Sequence, residues 1–75
     1  MITLMFGNNE KRYTKPVNEN DSPVRIFGAA QLMFADTGIE LDGVRLTKEE
    51  AHKPLSELGV TANSILMYNK KNDNG

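Results

Sequence analysis

The chain has no cysteine. No disulfide can brace it, and no thiolate is present to hold a structural zinc ion. That absence fits a reducing compartment. A single histidine, His52, excludes any site built from several imidazoles. No apolar run approaches the roughly 20 residues that cross a bilayer. No positively charged leader precedes Met1-Ile2-Thr3-Leu4. The expectation is therefore a cytoplasmic protein with no membrane contact. Charge of one sign is not in excess either. Nine basic and ten acidic residues are interspersed to give a net charge of −1, which leaves no basic stripe for nucleic acid. Asp-x-Asp-x-Asp-Gly, Gly-x-Ser-x-Gly, Walker and Gly-x-Gly-x-x-Gly patterns are all missing. No metal, cofactor or catalytic residue is expected, and the chain does not read as an enzyme.

Seventy-five residues make one small domain. A chain of this size buries only about 60–65% of its unfolded surface, so stability is expected to be modest. The domain is read as residues 1–71. The polar tail Asn72-Asp73-Asn74-Gly75 has nothing to bury and is predicted to be mobile.

Ile2, Leu4 and Phe6 alternate with Met1, Thr3 and Met5, a period of two that predicts a strand. Gly7-Asn8-Asn9 supplies residues that tolerate positive φ and predicts a hairpin turn. Glu10 to Val17 is the second strand, and Pro16 places it at a sheet edge or ends it there. Ser22 is a natural N-cap, with Pro23 suited to the first helical position. The spacing predicts a helix over 23–36 that stops at Gly38. Ile39-Glu40-Leu41 and Val44-Arg45-Leu46 read as short strands about an Asp42-Gly43 turn. Thr47-Lys48-Glu49-Glu50 matches the capping box of a short helix ending before Pro54. Leu55 and Leu58 lie one helical turn apart, closed by Gly59. Thr61-Ala62-Asn63 is a turn, and Ile65 to Asn69 is a last strand with Leu66 and Tyr68 on one face. Hairpin, helix, short strands, helical turn and strand make an α+β arrangement.

From Leu46 to Lys70 the order of elements resembles the second half of ubiquitin and of the ubiquitin-like β-grasp domains. Asp42-Gly43-Val44-Arg45-Leu46 is similar to their Gly-x-x-Leu turn. Leu55-Ser56-Glu57-Leu58-Gly59-Val60 is similar to the segment that plugs one end of their core. Ser64-Ile65-Leu66-Met67-Tyr68 is similar to their last strand. The resemblance spans nearly the whole chain in element order, and about Leu41 to Tyr68 in residues. It implies a mixed sheet with one main helix packed across it, in the order β-β-α-β-(β)-short helix-β. The first and last strands would then lie side by side and parallel at the sheet centre.

Two departures stand out. The helix-to-strand connection is shorter than in ubiquitin. The central isoleucine of ubiquitin's recognition patch falls at Glu40, and its outward histidine and valine fall at Met67 and Asn69. Burying an unpaired carboxylate costs several kcal/mol, so readers of ubiquitin are not expected to bind. These departures, with the missing Gly-Gly, point to a bacterial-type or phage-type relative.

Four features are candidates for function. The predicted helix carries more apolar residues than one sheet can cover, since a sheet covers a stripe of ≳100°. If Ile26, Ala30 and Met33 face the sheet, Phe27, Leu32 and Phe34 are left as a partner-binding or self-association surface. Met5, Ile65 and Met67 are expected to line the outer sheet face, with Glu40 as a polar selector and Arg45 at the rim. Gly75 aligns with the terminal glycine of ubiquitin, so the resemblance implies a possible C-terminal activation site, although Asn74 takes the penultimate place. His52, among Glu49, Glu50 and Lys53, reads as a solvated side chain near a helix end. The expected role is a non-catalytic adaptor or small subunit that binds a protein partner or itself. One alternative is a modifier or sulfur carrier activated at Gly75. Another is a structural subunit of a larger assembly, with the apolar helix buried.

Overall fold

The computed structural model describes residues 1–69. It has an α+β architecture: a mixed five-stranded sheet with its helical elements against one face. The strands are β1 (Ile2–Gly7), β2 (Arg12–Val17), β3 (Ile39–Leu41), β4 (Val44–Arg45) and β5 (Ile65–Tyr68). The helices are α1 (Pro23–Ala29) and α2 (Lys48–Ala51), followed by a 3-10 turn over Leu55–Leu58. The sheet order is β2-β1-β5-β3-β4. β1 and β5 run parallel, and every other neighbouring pair is antiparallel.

The alternation in β1 sends Leu4 and Phe6 into the core and leaves Met5 on the other face. β2 starts at Arg12, because Asn8 to Lys11 form the loop and the ladder closes at Gly7 opposite Arg12. As an edge strand, β2 tolerates Pro16, which has no N–H to offer a ladder. Between β3 and β4, Asp42 and Gly43 both take positive φ, 53° and 86°. This is the two-residue turn whose twist matches a hairpin, and glycine occupies its second position without a Cβ penalty. Asp42 also bonds across to β5: its N–H donates to Ile65 O at 2.8 Å, and its Oδ1 accepts from Ile65 N–H at 2.9 Å.

The start of α1 follows the sequence. Ser22 Oγ accepts from Arg25 N–H, and Pro23 sits in the first turn. Its end corrects the predicted span of 23–36. α1 stops at Ala29 because Gln31 takes φ 59°. Leu32 N–H then donates back to Phe27 O, and Gln31 N–H to Gly28 O, both at 3.1 Å. These are the two bonds of a Schellman motif, here with glutamine in the left-handed place usually held by glycine. The motif turns Leu32 back onto Phe27, and both are buried. The physical reason is tertiary: Leu32 folds back onto the buried Phe27, and Asn8 holds the chain at Met33 O.

Asn8 holds this segment in place. Its Nδ2 donates to Met33 O at 2.9 Å, while its Oδ1 accepts from the N–H groups of Glu10 and Lys11. Later elements follow their capping signals. Thr47 and Glu50 form both bonds of the capping box. The 3-10 turn is pinned to the loop before α1, with Leu55 N–H on Asp21 O and Ser56 N–H on Glu19 O. Leu55 is fully buried there, in the same core as Ala51 and Leu46.

Candidate functional site

The sheet face opposite α1 holds a cluster of partly exposed apolar side chains that the register assembles. Leu4, Phe6 and Leu66 point into the core, so their neighbours in sequence point out. Met5 pairs with Ile65 between β1 and β5. Met67 pairs with Glu40 between β5 and β3, and Glu40 pairs with Arg45 between β3 and β4. Thus Met5, Ile65, Met67, Glu40 and Arg45 lie on one face across four adjacent strands, although they are scattered from residue 5 to residue 67. Met5 is 40% exposed and Ile65 44%. Thr3 and Thr14 share this face by the same register.

The two charges form the border of the cluster. Arg45 Nη2 lies 3.9 Å from Glu40 Oε2. Arg45 is well exposed, so this pair contributes at most about 1 kcal/mol. It nevertheless gives the Glu40 carboxylate a cationic neighbour beside Met67. Glu19 is held below the usual carboxylate range, first by a hydrogen bond from the Met1 ammonium at 2.9 Å.

The helix-side surface is corrected by burial. Phe27 is fully buried and Leu32 is 6% exposed, so neither can contact a partner in this conformation. Phe34 is half-buried with its ring 5.6 Å from that of Phe27, which in turn lies tilted at 6.0 Å from that of Phe6. The apolar excess disappears because the segment after Gln31 is not helical: Leu32 turns inward and Met33 turns out, at 71% exposure. Gly75 lies outside the described residues.

Other surfaces offer less. A groove of about 300 Å³ runs between α1 and β2 over Phe6, Val17 and Ile26. Its strand edge carries Arg12, Lys15 and Pro16, residues that blunt an edge against further pairing. A cleft of about 230 Å³ lies between Asn8, Glu10, Met33 and Tyr68. His52 Nε2 is 3.2 Å from Asp36 Oδ2, and both side chains are open to water. Among the described residues, no three His, Asp or Glu side chains come together as metal ligands. No helix among them is long and apolar enough to cross a membrane.

Asn8 was not foreseen as anything but a turn residue. Its signal is the pairing of a polar side chain with burial, 6% exposed, and burial cannot be read from one sequence. Comparison with known proteins returned no match, whether to family models, to curated proteins or to solved structures.

Proposed function

We propose that this chain is a ubiquitin-like β-grasp domain that acts without catalysis, as an adaptor or small subunit docking a protein partner on its outer sheet face. The observation that carries the reading is the convergence of Met5, Ile65 and Met67 on a face that none of the described helical elements covers, bordered by the Glu40–Arg45 pair. Methionines adapt their shape to a partner at little cost, and the ion pair gives one side of the patch a polar selector. The parallel pairing of β1 with β5, and the Leu55–Leu58 turn that closes the core, support the ubiquitin-like assignment. The burial of Phe27 and Leu32 weighs against a subunit that docks through α1.

The test is co-purification from the native host of an N-terminally tagged copy, beside Ile65→Asp and Met5→Asp variants of verified fold. A stoichiometric protein held by the wild type and lost by both variants is the expected result. A partner retained by both variants places the docking surface elsewhere. Covalent adducts that survive denaturation would make the chain a modifier or sulfur carrier through Gly75.

A further inference from the structure

We propose that α1 and residues 31–36 form a two-state element. In one state the helix ends at Ala29 with Leu32 docked in the core. In the other it continues to Asp36 with Met33 docked in its place. This goes beyond the docking reading and does not depend on it.

The sequence from Val24 to Asp36 carries two incompatible instructions. Ile26, Phe27, Ala30, Met33 and Phe34 fall at i, i+1, i+4, i+7 and i+8, a continuous helical stripe on the face that already holds Ile26 and Phe27. Residues 29–35 are mostly strong helix formers, with no proline among them, and the lone Gly28 lies within the existing helix. The helix ends all the same, with Gln31 at φ 59°, a region that disfavours side chains with a Cβ. Leu32 is 6% exposed and Met33 71%. Continuing the helix exchanges them: Leu32 rotates to solvent and Met33 joins the stripe. Leucine and methionine have similar volumes, and such exchanges are among the best tolerated in cores.

The fasteners of the observed state are few. Besides Leu32 itself they are the two backbone bonds of its turn, the Asn8 amide on Met33 O, and the exposed Asp36–His52 pair. Phe34 keeps its place beside Phe27 in both states, since residues seven apart share a helix face. The extended helix also remains compatible with β3. Three links from Asp36 to Ile39 span about 10 Å, comparable to the spacing of packed layers.

The test is ¹³C chemical-exchange saturation transfer on the full chain. Wild type is expected to show a minor state, roughly 0.1–10% populated, with helical Cα shifts confined to residues 31–36. Gln31→Gly favours the left-handed turn and should deplete it. Leu32→Gln combined with Met33→Leu should make 31–36 helical in the ground state, with the Leu4, Ile39 and Leu66 methyl shifts retained. The proposal is overturned if wild type shows no helical minor state and the double variant either keeps its bend at Gln31 or loses the fold. A helical ground state in the double variant supports it even where the wild-type minor state is too rare to detect.

Discussion

Phe27 and Asn8 show how two side chains settle the conformation between α1 and β3. Phe27 is fully buried and touches rings on both sides, Phe6 and Phe34. Phe27→Ala removes a ring from a close-packed site and should cost about 3–5 kcal/mol. A chain of this length has roughly 4–11 kcal/mol in total at 0.05–0.15 kcal/mol per residue. The variant should therefore show a large fall in its urea midpoint with little change in slope. A midpoint near wild type would mean that Phe27 is not in the core. Asn8 acts by hydrogen bonding instead of volume. Asn8→Asp keeps the acceptor for Glu10 and Lys11 but loses the donor to Met33 O. Asn8→Ala loses all three bonds and should cost about 1–3 kcal/mol, the range for stranding buried polar partners. Amide exchange separates the two variants. Protection at Glu10 and Lys11 should survive in Asn8→Asp and vanish in Asn8→Ala.

Elements whose signals are local were legible, and elements fixed by distant contacts were not. Ser22-Pro23, the Thr47 capping box and the Asp42-Gly43 turn form through bonds within a few residues, and each takes its predicted place. The end of α1 is different. Nothing near Gln31 breaks a helix; what stops it is Leu32 folding back on Phe27 while Asn8, 25 residues away, holds Met33 O. Phe27 and Leu32 were misplaced for that reason, as residues read on a helix that was too long. The outer-face cluster was half legible. Alternation in each strand indicates which side chains share a face, but the contact of Met5 with Ile65 depends on β5 lying beside β1. No local pattern specifies that pairing. The local signals also carry energy that can be measured. α2 has four residues, too few to persist without help. Thr47→Ala should therefore cost about 1 kcal/mol. Amide exchange should speed up at Glu50 and Ala51 first, because Glu50 N–H loses its Thr47 Oγ1 acceptor and Ala51 N–H closes the first turn onto Thr47 O. Unchanged protection there would mean that Ala51 packing alone holds the turn.

At the scale of the whole molecule, the apolar part of the outer face is too small by itself to hold two copies together. A stable interface buries about 800 Å² from each partner. That is roughly a sixth of this molecule's 4739 Å² surface. The apolar part of the outer face is Met5 and Ile65, each less than half exposed, with Met67 more covered still. Three partial side chains fall well short of such an area. A two-fold dimer through this face would also place each Glu40–Arg45 pair at the margin of the other, where exposed ion pairs contribute little. A dedicated partner can add apolar surface that a second copy lacks, and can place charges against Glu40 and Arg45 separately. The full chain is therefore expected to sediment as a monomer at micromolar concentration, and to remain one after Ile65→Asp. A wild-type dimer that this substitution dissolves would show the opposite: that the outer face is complementary to itself, and that the partner it was shaped for is another copy of the same chain.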